Sequence, residues 1–187
     1  MFAALDITAV LFGLRGCLVQ SANGSPLPAP GALETLASLR QAQIPCIWLD
    51  DLETLHSKRL ASVLPEWLPG QSANGVGWPA PNACWQALMS LGSERLEGSV
   101  LVSGEPKLLQ SGLNAGLWTV GLAGCGPSCD LASAQWQAMT QQEQDLARGK
   151  ATLALFRLGV HSVIDHLEEL DTCLADIALR RSKGEKP

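Results

Sequence analysis

The apolar residues of this chain fall into short continuous runs. Ile7 to Phe12 is apolar almost throughout, and Ile44 to Leu49, Ser99 to Ser103, Leu117 to Leu122 and Val160 to Ile164 are shorter or more broken apolar runs. Runs of that length, rich in β-branched and large side chains, predict strands buried on both faces, as in the middle of a parallel sheet. Between them the spacing changes to a helical one. Pro30 to Gln43 places Leu33, Leu36, Ala37 and Leu39 near one face. Asp50, with Glu53 three residues on, predicts a capping box opening a helix through Leu64. Pro81 to Leu91 predicts a helix closed by Gly92. Pro106 stands where a first helical residue would, with the helix running to Gly116. Thr140 and Glu143 form a second capping box, for a helix that reaches Leu158 and stops at Gly159. A last helix runs from about Leu167 to Arg181, and Ser182 to Pro187 is a polar tail.

The connections read as loops. Gln20 to Pro30 is rich in Ser, Gly, Asn and Pro, Pro65 to Pro79 carries Trp67 and Trp78, and Gly124 to Asp130 reads GCGPSCD. The pentapeptide QSANG at Gln20 recurs at Gln71 without flanking similarity, so it marks two loops of like composition and not a repeat. Strands and helices alternate along the whole chain. That order predicts an α/β fold of three layers, Rossmann-like, with a parallel sheet and helices on both faces, as a single domain over residues 1–187.

Composition narrows the partners. The chain is 47% hydrophobic and 17% charged, a globular balance. Its net charge of -5 disfavours nucleic acid or an anionic membrane as partner. The cysteines Cys17, Cys46, Cys84, Cys125, Cys129 and Cys173 show no framework spacing, which predicts reduced thiols and a cytoplasmic protein. The N-terminus lacks the basic flank of a signal peptide, and Arg15 ends the first apolar run short of membrane-spanning length.

The chemistry should lie at the end of the first strand, where Gly13-Leu14-Arg15-Gly16 forms a tight turn. Open α/β sheets bind ligands at that edge. This turn carries no carboxylate.

VLFGLRGCLVQ, LPAPGALETLASLRQAQIPCIWL, GLNAGLWTVGL and GVHSVIDHLEEL resemble the haloacid dehalogenase superfamily of phosphohydrolases. Within it the chain most resembles the phosphonoacetaldehyde hydrolase family, also through GWPAP, Trp136 and the closing GEKP. The resemblance covers most of the chain. It implies a nucleophilic Asp directly after the first strand, where this chain has Gly13. It implies a second Asp two residues on, and here that is Arg15; a Thr commonly follows the turn glycine, and here that is Cys17. A phosphate-binding Ser or Thr is expected at the end of the second strand, where Leu49 and Asp50 stand, and a basic residue near GWPAP, where Trp78 stands. The magnesium-binding acidic motif after the third strand reads Ser103-Gly104-Glu105-Pro106-Lys107-Leu108, with only Glu105, offset by one position, to offer a carboxylate. The resemblance also implies a helical cap between the first two strands, bearing a Schiff-base lysine. Gln20 to Pro45 has room for one loop and one helix and contains no lysine. The expected architecture is therefore haloacid-dehalogenase-like with no cap domain.

Each candidate has a structural reading beside the chemical one. The Gly13 and Gly16 amides, with Arg15, could hold a small anionic ligand; equally, the glycines permit a tight turn and Arg15 pairs with Asp50 or Glu105, and we favour the internal pair. Asp50 and Asp51 stand at the correct edge for acid/base work, but the capping box accounts for Asp50 without chemistry. Cys17 has no histidine beside it and is expected to be an inert thiol. Cys125 and Cys129 with His161 and His166 suggest zinc, but the three-residue gap split by Pro127 favours an ordinary loop, and no metal site is expected. Six tryptophans without a tyrosine suggest a subunit contact, with Trp67 and Trp78 nearest the uncapped edge, and hence a homodimer. The expectation is a protein that has lost catalysis and serves in binding or assembly, with no cofactor; Mg2+ would matter only if hydrolase activity remained. The alternative is a phosphohydrolase with an unconventional site built from Asp50, Asp51 or Glu105.

Overall fold

All five residues from Ala9 to Gly13 are buried, as the first apolar run requires of a central strand. The computed structural model describes residues 6–22, 25–72, 75–125 and 138–187. The readings of Pro127, Cys129 and Trp136 lie outside the described residues. In chain order the elements are β1 (Ala9–Gly13), β2 (Val19–Ala22), β3 (Ser25–Pro28), α1 (Ala32–Gln41), β4 (Cys46–Leu49), α2 (Thr54–Ala61) and β5 (Gly70–Gln71). There follow α3 (Asn82–Ser90), β6 (Ser99–Ser103), α4 (Pro106–Asn114), β7 (Trp118–Leu122), α5 (Gln141–Leu158), β8 (Ser162–Ile164) and α6 (Leu170–Ser182), with 3-10 turns at Ala123–Cys125 and Leu167–Glu169.

The sheet has the order β5-β4-β1-β6-β7-β8 and is parallel throughout. Alternate residues of its strands enter opposite cores. Val10, Phe12, Trp48, Val102, Trp118 and Val120 meet Leu36 and Leu39 of α1 and Leu174 and Ile177 of α6. Ala9, Leu11, Ile47, Leu49 and Leu101 meet Cys84 and Leu88 of α3 and Leu108 of α4. Leu109, Ala123, Leu155 and Val160 form a smaller cluster under α5. This is the three-layer α/β arrangement that the alternation predicts. No helix among the described residues is long and apolar enough to cross a membrane.

Three expectations need correction. Gln20 to Pro30 is not a plain loop, because β2 and β3 pair antiparallel with Val19 opposite Pro28 and Ala22 opposite Ser25. The sequence at 23–24 is Asn-Gly, the pair that most favours a two-residue hairpin connection. Pro65 to Pro79 includes β5, whose Gly70 lies against the Trp48 ring so closely that a Cβ would fall 1.6 Å from a ring carbon. The Asp50–Glu53 capping box does not form. The cap of α2 is Glu53, with no side-chain hydrogen bond, and Asp50 has other partners. The box at Thr140 and Glu143 does form, and α5 ends at a left-handed Gly159.

His161 is structural. Its Nδ1 accepts the Thr119 backbone N–H at 3.0 Å, and its ring lies 4.9 Å from that of Trp118. Arg180 Cζ sits 4.8 Å from the Trp118 ring centroid, and Arg180 Nη1 donates to His161 O at 3.1 Å. Burial first, then the Arg180 charge, push the imidazole below its usual 6.5. The unfolded chain thus takes up this proton before the folded one does. Stability from His161 is complete above pH 6.5 and falls as pH is lowered through 6.5 toward the depressed folded value. Urea unfolding from pH 8 to 5 should show this slope, and His161→Asn should flatten it; an unchanged slope would assign it to other groups.

Candidate functional site

β1, β4 and β6 all end at one edge of the sheet, and their last residues open onto a cleft. It holds about 230 Å3 and is bounded by Gly13, Arg15, Asp50, Asp51, Trp78 and Ser103, with Glu105 and Lys107 at the start of α4. The turn after β1 is thus where parallel-sheet logic places it.

At its centre is an ion pair. Arg15 Nε donates to Asp50 Oδ1 at 2.8 Å, and Arg15 Nη2 donates to Asp51 Oδ1. Asp50 is 2% exposed in its side chain, against 46% for Arg15 and 47% for Asp51. The buried carboxylate also accepts Ser57 Oγ at 2.8 Å and the Asp51 amide at 3.0 Å. A charge-assisted bond to Arg15 outweighs what Asp50 could gain by capping α2. Burial opposes the Arg15 charge, but the Asp50 hydrogen bond and the charges of Asp50, Asp51 and Glu105 more than offset it, raising its pKa. Of the two partners expected for Arg15, Asp50 is the one it bonds; Glu105 acts only through space.

The other candidates are also engaged. Gly16 N–H donates to Val19 O at 3.0 Å and Leu14 N–H to Leu49 O at 2.8 Å. An anion entering the turn at Gly13, Arg15 and Gly16 would have to displace such partners. Glu105 caps α4, accepting Lys107 N–H at 3.2 Å, while its own N–H donates to Ser103 Oγ at 3.0 Å. Cys17 is fully buried with its Sγ 3.6 Å from Val102 O, and desolvation pushes the thiol up to about 12. That is an inert thiol. Trp78 partly lines the cleft, on a segment that Asn114 holds through Pro79 O at 2.9 Å. Trp67 packs against the core with Arg40 4.9 Å from its ring centroid.

Gly13 defines what the site can do. A Cβ built there would lie 2.7 Å from Ser103 Oγ and 3.4 Å from Leu108 Cδ2. A side chain there would require Ser103 to shift. Sequence reasoning missed Ser103 and Lys107 as cleft residues and Ser57 as the buried partner of Asp50. Ser103 and Lys107 carried a signal, standing at a strand end and in the motif beside Glu105, whereas Ser57 carried none.

No family model matches the chain. Phosphonoacetaldehyde hydrolase of Salmonella enteritidis PT4 is 27% identical over 192 residues, spanning 99% of this chain and 71% of that protein. The crystal structure of a phosphonoacetaldehyde hydrolase-like protein from Oleispira antarctica superposes with a TM-score of 0.80 at 28% identity, over 86% of this chain and 60% of that one. The chain has the haloacid-dehalogenase-like fold and is similar in sequence to phosphonoacetaldehyde hydrolases. A haloacid-dehalogenase-family hydrolase from Deinococcus radiodurans R1, solved with phosphate and sodium, shares the fold at 20% identity and a TM-score of 0.62. A further crystal structure, 52% identical, covers 97% of this chain and all of its own with a TM-score of 0.91. Between β1 and β4 this haloacid-dehalogenase-like chain has the β2–β3 hairpin and α1, and no cap domain among the described residues.

The superfamily implies magnesium, and the cleft does not fit it. A hard cation needs carboxylate oxygens free to ligate. Here Asp50 and Asp51 are bonded to Arg15, Glu105 caps its own helix, and Gly13 offers no oxygen from a side chain. No cluster of three acidic, His or Cys residues suited to a metal occurs among the described residues.

Proposed function

We propose that this haloacid-dehalogenase-like protein does not hydrolyse phosphate esters or phosphonoacetaldehyde, and that its fold serves binding or assembly. The observation that carries this reading is the glycine itself, closely packed by Ser103, at the position where the resemblance expects the nucleophilic carboxylate. A glycine has no atom that could attack phosphorus, and the missing nucleophile cannot come from its neighbours. Asp50 is buried and bonded on three sides, Asp51 is tied to Arg15, and Cys17 is a buried neutral thiol. Arg15 balances the carboxylates electrostatically, the task that the resemblance assigns to magnesium. The groups of a catalytic unit act together, so losing its nucleophile removes most of the rate.

The test is an assay with p-nitrophenyl phosphate and with phosphonoacetaldehyde in magnesium, for the parent, Asp50→Ala, Asp51→Ala and Glu105→Ala. No turnover above background is expected in any of the four. Turnover in the parent that disappears in one variant would overturn the reading and identify a replacement carboxylate. Anion binding at Gly13, Arg15 and Gly16 would require Arg15 to exchange Asp51 for the ligand. Its signature would be a melting temperature raised by phosphate in the parent but not in Arg15→Ala.

A further inference from the structure

α5 presents an apolar seam to solvent. Leu146, Leu153 and Phe156 are 60%, 61% and 53% exposed, and Leu155, on the opposite side, is the helix's buried residue. Leu146, Gly149, Leu153 and Phe156 follow the i, i+3, i+7, i+10 spacing of a coiled-coil seam. Ala151, Leu155 and Leu158 face the chain's own core.

Gly149 is the second observation. A glycine in a helix interior destabilises it relative to alanine. A Cβ at Gly149 would meet nothing within 4 Å, so no packing inside this chain requires the glycine. A glycine on an exposed seam, between two exposed leucines, is what a closely approaching second helix needs.

Charge selects the partner. The start of α5 carries Glu143 and Asp145, and its later turns carry Arg148, Lys150 and Arg157. Asp145 pairs with Arg148 within the helix, and Glu143 and Arg157 lie beside the seam at equivalent heptad positions. Two such helices side by side in antiparallel order bring Glu143 of each copy, whose Oε2 caps its own helix, to Arg157 of the other, two opposite-charge pairs against the single like-charge approach of Lys150 to Lys150. The same register sets Leu146 against Phe156 and seats Leu153 over the opposite Gly149.

We propose that α5 is the contact of a two-fold homodimer, its occupant the antiparallel α5 of a second copy of this chain. This interface is independent of whether the cleft is catalytic. It does not use Trp67, which packs against its own core, or Trp78, which lines the cleft.

Sedimentation velocity at tens of micromolar should find a dimer in the parent and a monomer in Leu153→Glu, a change at an exposed side chain that spares the fold. Gly149→Ala should raise the melting temperature measured at low concentration, where the protein is monomeric, while weakening dimerisation at least tenfold. Lys150→Cys, which meets its own copy in the antiparallel register, should form a disulfide-linked dimer on mild oxidation, and Leu146→Cys should not, with the parent as control. A monomeric parent, or a dimer indifferent to both Leu153→Glu and Gly149→Ala, would overturn the proposal. Cross-linking through Leu146→Cys instead would overturn the antiparallel arrangement.

Discussion

Gly13→Asp is expected to lower stability without creating a phosphatase. The new Cβ would fall 2.7 Å from Ser103 Oγ and 3.3 Å from Ser103 Cβ, so Ser103 must move, and its hydroxyl is the acceptor of the Glu105 amide. Overpacking of this kind costs about 1–3 kcal/mol. The carboxylate adds to that cost, because it enters a cleft already lined by Asp50, Asp51 and Glu105. Ser103→Gly in the same protein should recover most of the lost stability by vacating the space. Hydrolysis should remain absent in both proteins, since Asp50 and Asp51 stay bonded to Arg15 and leave a hard cation too few oxygens. Urea unfolding and the phosphatase assay on the single and double variants check both halves. Magnesium-dependent turnover in Gly13→Asp would show that one substitution separates this chain from an enzyme, and would refute the argument that the site has closed around its glycine.

Neighbouring aspartates should differ sharply in what they contribute to the fold. Asp50→Ala is expected to cost about 2–3 kcal/mol, because it takes the acceptor from Arg15, from the buried Ser57 hydroxyl and from the Asp51 amide. The loss stays at the low end for a buried ion pair because Arg15 is half-exposed and keeps Asp51. Asp51→Ala should cost less than about 1 kcal/mol, since both members of that pair reach solvent. The two unfolding midpoints, with unchanged denaturant slopes, decide the matter. Equal small losses would mean that the Asp50 network contributes little. It would then lose its standing as the reason Arg15 remains in the turn.

The same contrast shows what was legible in the residues. Arg15 could be read as the partner of Asp50 or of Glu105, and sequence spacing cannot choose between carboxylates that follow different strands. Asp50 looked like a helix cap because a capping box is a local pattern, whereas its guanidinium partner is remote in sequence. The hairpin of β2 and β3 was hidden in a loop-like composition, although Asn23-Gly24 was there to be read. Trp67 and Trp78 suggested a contact surface because tryptophan is enriched at interfaces; both are half-buried, one against the core and one at the cleft.

By itself the sequence determined five strands of the sheet, the helices that alternate with them, the capping box of α5 and the glycine that stands at the end of the first strand. These depend on local periodicity and on the identity of a residue at a position that the chain order marks. Only the tertiary structure decided the rest. That Ser103 packs closely on Gly13, that Arg15 bonds Asp50, and that β5 extends the sheet beside Trp48 are contacts between segments remote in sequence. The outward seam of α5 belongs with them. That helix carries apolar residues on both sides, so its pattern alone could not tell which side the core would cover, and packing through Leu155 left Leu146, Leu153 and Phe156 outside.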